Sequence, residues 1–229
     1  MPFSPTRFPD EPKKLPYDPA QDFAAVIMTI TQPMLLVVPP ASNVNTVSDL
    51  IASARSNKTA YASAGNGSPN HLAGEMFKAM AKLDSTHVPY KGSAPAQLDV
   101  MAGRVQLFFD TMIAAMPLVN GGKLKAVAVT SVKRSAAAPN IPTVSESGLP
   151  GYEFMTWNGV FVPTGTPAAV IAKLNAEIAR ILKMPEVARK LAGDGAEIAV
   201  GTPQAFAKFV DQERQKLARV ITAANIKVD

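Results

Sequence analysis

The run Tyr61-Ala62-Ser63-Ala64-Gly65-Asn66-Gly67-Ser68-Pro69-Asn70-His71-Leu72 holds the residue types that an anion site needs, in a workable order. A short apolar strand enters two glycines and leaves into a helix start. Gly65 and Gly67 let the backbone turn tightly and approach a ligand, Ser68 is suited to the N-cap, and Pro69 fits the first helical position, where a missing N–H costs nothing. The first-turn N–H groups and the positive end of the helix dipole then face the ligand. The same residues also read as a tight strand-to-helix connection that binds nothing, because glycine punctuates many such turns.

Other chemistries are poorly served. The chain has no cysteine, so it offers no disulfide, thiolate ligand or thiol nucleophile. Its only histidines are His71 and His87, without a His-x-x-x-His or Glu-x-x-His companion, so no metal is expected. His71 reads as a surface or capping residue, and His87, inside the strand-like Thr86-His87-Val88-Pro89-Tyr90, as a satisfied structural one. Neither Gly-x-Gly-x-x-Gly nor Gly-x-x-x-x-Gly-Lys-Ser/Thr occurs, which speaks against a nucleotide cofactor and against an enzyme. The net charge of +5 would suit an anionic partner. Yet the cations are scattered in short pairs such as Lys13-Lys14, Lys133-Arg134 and Arg189-Lys190, which read as solvated surface, so no nucleic-acid partner is expected.

The elements that must position the glycine turn follow from periodicity. With 47% hydrophobic and 18% charged residues over 229 positions, the chain can bury one large core or two modest ones. Residues 1–14 are proline-rich and aperiodic, an irregular lead. No run is long enough to span a bilayer, and no basic segment followed by an apolar core opens the chain. Short β-rich runs are expected at 26–30 and 34–38. A helix follows, opened by Thr46-Val47-Ser48-Asp49 in capping-box style, with Val47, Leu50, Ile51 and Ala54 on one face. Strand 61–64, helix 69–82 with Leu72, Ala73, Met76, Phe77 and Met80 inward, strand 85–90, helix 95–102, strand 105–110, helix 113–120 and strand 125–131 continue the rhythm. Such alternation implies an α/β fold with a mainly parallel sheet.

The tail differs. After a strand at 159–162 come a long helix, 167–184, with Val170, Ile171, Leu174, Ile178, Ile181 and Leu182 on its apolar side, a short helix, 186–192, a strand near 198–200, and a last helix from 203 to about 224. Helices outnumber strands, so the tail needs sheet from elsewhere.

Several segments together resemble the substrate-binding proteins of tripartite tricarboxylate transporters, the Bug family. They are Leu15-Pro16-Tyr17-Asp18-Pro19, the turn with Leu72-Ala73-Gly74-Glu75, His87-Val88-Pro89-Tyr90-Lys91-Gly92-Ser93-Ala94-Pro95, Phe109-Asp110, Ala126-Val127-Ala128-Val129-Thr130-Ser131, Pro142-Thr143-Val144-Ser145-Glu146-Ser147-Gly148-Leu149-Pro150-Gly151-Tyr152 and Pro163-Thr164-Gly165-Thr166-Pro167. The resemblance runs in order from about Leu15 to the C-terminus. It implies a periplasmic-binding-protein-like (type II) two-lobe fold that closes on a small carboxylate and delivers it to membrane transporter subunits. On that pattern, 34–155 form the second lobe, while 15–33 and 156–229 are the remnant of the first. Family members have a signal peptide and a strand, glycine-rich loop and helix before the Leu-Pro-Tyr-Asp-Pro segment. Here 1–13 show no counterpart, so the resemblance implies an N-terminally truncated member with an incomplete first lobe.

For the site, the resemblance carries over Ser63, Gly65, Asn66, Gly67 and Ser68, the residues that the anion argument reaches independently. Tyr90, Lys91 and Gly92 at the end of the next strand, and Asp110 with Thr111 at the end of the one after, stand where open α/β sheets place ligands. Their plainer readings are packing for Tyr90, solvation for Lys91 and turn capping for Asp110. Trp157 is expected to floor the cleft or to be core. The ligand classes left open are di- or tricarboxylates, acidic amino acids and aromatic carboxylates, with no cofactor; ligand-dependent sensing and a non-binding relic are the rival functions.

Overall fold

The computed structural model describes residues 16–223, so the lead expected over 1–14 and the last helix beyond 223 lie outside it. The described residues form two compact units, one of Gln32–Thr156 and one of the residues up to Thr31 together with those from Trp157.

The Gln32–Thr156 unit is built on β1 (Phe23–Val38), α1 (Val47–Ser56), β2 (Ala60–Ser63), α2 (Pro69–Ala81), β3 (Thr86–Pro89), α3 (Ser93–Met101), β4 (Leu107–Thr111), α4 (Met112–Asn120) and β5 (Lys125–Val129). The strand order is β3-β2-β4-β1-β5. β2 is parallel to β3 and β4, while β1 is antiparallel to both β4 and β5, pairing Leu35 with Asp110 and with Val129. Strands β2 to β5 therefore share one direction, as helix-linked strands do, and β1 is inserted against them. Alternation alone shows the parallel set but not this inserted strand.

β1 also corrects the expectation of two short strands at 26–30 and 34–38. It is continuous through Pro33, because the pairing with β7 ends at Thr31 and that with β4 begins at Met34. Proline, which has no N–H, falls between the two ladders and breaks neither.

Packing follows the expected faces on α1, where Val47, Leu50, Ile51 and Ala54 are all buried. The Thr46–Asp49 capping box closes reciprocally, with the Asp49 N–H donating to Thr46 Oγ1 at 3.0 Å and the Thr46 N–H to Asp49 Oδ2 at 2.9 Å. One core of the sheet gathers Leu35, Val37, Phe108 and Val129 with Val100 and Met112. α2 is rotated from its expected setting. Leu72, Ala73 and Phe77 are buried, but Met76 is half-buried and Met80 is 37% exposed, while Asn70, His71 and Glu75 take inward places. The cause is Gly74: a Cβ there would lie 2.4 Å from Tyr61 Cε2, so the helix rides directly on that ring.

The other unit contains the first half of β1, β6 (Met155–Pro163), α5 (Ala168–Leu182), α6 (Pro185–Gly193), β7 (Glu197–Ile198) and α7 (Pro203–Ala223). β6 and β7 both pair with β1. Gly159 lets β6 approach α7, since its Cβ would lie 2.1 Å from Phe206 Cζ. The shortage of strands read from the tail's sequence leaves the apolar side of α5 without enough sheet to cover it. No residue of α5 is buried, and Val170 and Ile181 are each 45% exposed. With a two-residue β7, the sheet among the described residues is too small to cover three helices. Among the described residues, no helix is long and apolar enough to cross a membrane.

Candidate functional site

Because β3, β2 and β4 are neighbouring parallel strands, their carboxyl ends lie along one edge, and α2, α3 and α4 all start there. The turns interlock. The Tyr90 N–H donates to Ser63 O at 3.0 Å and the Gly92 N–H to Ala64 O at 3.1 Å. Gly65, at φ +130°, leaves room for Tyr90 O, which its Cβ would meet at 3.3 Å. On the other side, Asn70 Nδ2 donates to Phe109 O at 2.6 Å, tying the α2 start to β4.

The turn itself is heavily cross-braced. Ser68 is the N-cap of α2, its Oγ accepting the His71 N–H at 3.3 Å and donating to Gly65 O at 2.7 Å, with Pro69 at the first position. The Ser68 N–H also reaches Gly65 O, at 3.2 Å, and the Gly65 N–H reaches Ser63 Oγ at 3.1 Å. Gly67, at φ +70°, donates its N–H to His71 Nδ1 at 3.1 Å. The sequence argument has the first-turn N–H groups facing a ligand, but the His71 N–H is taken by Ser68 Oγ, and the Gly65, Gly67 and Ser68 donors are likewise spent inside the turn. Asn66 lies at its tip, exposed. Helices α3 and α4 differ, because neither has a side-chain cap, and their first turns keep the donors that every helix start leaves over.

The remaining expected residues divide. Gly92 is the N-cap of α3 at φ +108°, and Thr111 the N-cap of α4. Lys91 is exposed beside the turn. Tyr90 is half-buried and donates its hydroxyl to Asp99 Oδ2 at 2.7 Å, so it braces α3. Asp110 is fully buried, accepting from the Thr111 N–H at 2.9 Å and from Gln97 Nε2 at 2.6 Å, with Ser93 a further donor. Burial pushes its carboxyl up, against those hydrogen bonds. The geometry makes it a brace between the α3 start and the end of β4. Trp157 belongs to the other unit, where its ring meets Phe206 and Phe209 edge-on at 5.7 Å each.

The sequence reading has His87 as a satisfied structural residue, which it is, but missed the burial of His71 and the stack between the two rings. His71 is buried rather than on the surface, and its ring stacks on His87 at 3.8 Å between centroids and 5° between planes. His87 stacks in turn on Tyr61 at 5.0 Å and places Nε2 2.6 Å from Ser63 Oγ. Tyr61 donates its hydroxyl to Glu75. Burial, then Lys78, pulls His71 down to about 4, and burial, then His71, does the same for His87. The available signal was register: Tyr61 and His87 are directly paired across β2 and β3.

Helix starts gathered at the strand ends of an α/β sheet are an arrangement suited to holding a small anion. Known proteins agree. The model of the tripartite tricarboxylate transporter family receptor matches residues 1–226, so the chain belongs to that family, a receptor family and not an enzyme family. The match includes 1–13, for which sequence reading finds no counterpart. A protein described as the UPF0065 protein in the tcbD-tcbE intergenic region of Pseudomonas sp. is 38% identical over 91% of this chain. The chain spans 63% of that relative's length. Among solved structures, R. palustris Rpa4515 with adipate superposes with a TM-score of 0.89 at 38% identity, covering 94% of this chain and 73% of that one. MatC from Rhodopseudomonas palustris with bound malate superposes with a TM-score of 0.82 at 31% identity, covering 91% and 73%.

Proposed function

We propose that the chain captures a small carboxylate, in the first place an aliphatic dicarboxylate, at the β2, β3 and β4 ends of the Gln32–Thr156 unit, and serves a tripartite membrane transporter from the periplasm. The observation that carries this reading is the convergence of three helix starts on one sheet edge, two of them without a side-chain cap. Three partial positive ends and their first-turn N–H groups favour a carboxylate by charge and by hydrogen bonding. The Ser63–Ser68 turn, with Gly65 and Gly67, supplies the shaped wall, Lys91 a cation at the rim, and Tyr90, Gly92, Asp110 and Thr111 hold the neighbouring turns in place. Adipate and malate in the two structural relatives support the ligand class. The lobe assignment, with Gln32–Thr156 as the second lobe, belongs to the same proposal.

Calorimetric titration with adipate, malate and adipamide tests the reading. Binding is expected for the dianions and not for the diamide, and Gly65→Val should abolish it, because a branched side chain at φ +130° displaces both Gly65 and the Tyr90 carbonyl. Equal affinity for adipamide, or undiminished binding by the valine variant, would sink the assignment.

A further inference from the structure

The stacked histidines lie under the turn without being part of its expected contact set, and each holds it by one hydrogen bond. We propose that His71 and His87 are positioning residues for the anion-binding turn: while both rings are neutral they fix the Ser63–Ser68 backbone, and a proton on His71 Nδ1 releases it and weakens carboxylate binding. The inference rests on the carboxylate reading above for its second half only.

The geometry dictates the protonation state. The Gly67 N–H needs a lone pair on His71 Nδ1, so that ring must be neutral with its proton on Nε2. His87 meets Ser63 Oγ through Nε2, and this oxygen also accepts the Gly65 N–H, which places both glycines of the turn under histidine control. Two imidazolium rings at 3.8 Å face to face would repel strongly, so the stack admits little charge. The titratable groups facing it are Tyr61 on β2, His87 on β3, and Glu75 and Lys78 on α2; Glu75 accepts from both the Tyr61 hydroxyl and Lys78. Glu75 favours a protonated His87 and Lys78 opposes it on both rings, so the nearest carboxylate is largely occupied elsewhere.

The test uses the full chain with His71→Asn, whose amide oxygen can stand in for Nδ1 and cannot be protonated, and His71→Phe, which keeps an aromatic ring and loses the acceptor. In ligand-free protein, the Gly67 amide resonance should move with the same midpoint as the His71 ring, below pH 5, and stay still in His71→Asn. At pH 7, His71→Phe should bind adipate about tenfold more weakly, the size of one lost hydrogen bond, and His71→Asn should recover most of that loss. The parent-to-Asn affinity ratio, in which ligand ionisation cancels, should fall as the pH drops towards 4. A Gly67 amide indifferent to the His71 titration, or unmoved in His71→Phe, would overturn the proposal. Coupled Gly67 and His71 titrations without adipate binding in any variant would instead overturn the carboxylate reading and leave the positioning of the turn standing.

Discussion

Gly74→Ala is expected to lower the melting midpoint by about 5 °C, although alanine is the better helix former. In a free helix the exchange gains up to about 1 kcal/mol. Here the added methyl would sit 2.4 Å from Cε2 and 2.5 Å from Cδ2 of Tyr61. That ring cannot step aside easily, since it is buried, stacked on His87 and tied to Glu75 by its hydroxyl. Overpacking of this kind costs about 1–3 kcal/mol, and for this chain length each kcal/mol moves the midpoint by about 2–4 °C. The loss should therefore exceed the gain. Gly193→Ala is the control: it closes α6 with open space around its Cβ, so its midpoint should hold or rise. Thermal melts that rank Gly74→Ala level with Gly193→Ala would show that the α2–β2 contact is loose.

Acidification from pH 7 to 4 should remove a second large share of stability. His71 and His87 each have a folded-state pKa near 4 against about 6.5 when unfolded, so below pH 6.5 the unfolded chain binds more protons. Stability is then complete above pH 6.5, falls as the pH drops through that window, and stops falling near 4. The size is of order 3 kcal/mol for buried His71 and less for half-buried His87. Asp110, raised by burial, acts with the opposite sign, because protonation suits its folded site. Asp49, Asp99 and Glu146 are lowered mainly by hydrogen bonds and lose their contribution only below the ordinary carboxylate range. Urea unfolding at pH 7, 5.5 and 4.5 separates these. The parent should lose stability steadily and His71→Asn distinctly less; identical slopes would rule out the histidine origin.

What the sequence made legible was local. The Ser68 cap, Pro69, the Thr46–Asp49 box and the apolar face of α1 depend on residues within four positions of one another, and all formed as their chemistry requires. The strand-end position of Gly65, Gly92 and Thr111 follows from the same alternation. The rest depends on register and approach. The insertion of β1 against β4 and β5, the inward turn of Asn70, His71 and Glu75, and the His71–His87–Tyr61 stack exist because of which residues pair across β2 and β3 and how closely Gly74 lets α2 sit. None leaves a periodic trace. The bare α5 was legible: its apolar stripe is plain in sequence, and so is the shortage of strands in the tail that leaves it uncovered.

An amide-resolved titration of the chain with adipate, beside adipamide, locates the carboxylate directly. Saturable shifts are expected at 63–70, 90–94 and 110–114, around the starts of α2, α3 and α4, with adipate alone. Shifts scattered over the surface, confined to 168–223, or equal with the diamide would contradict carboxylate capture at these strand ends.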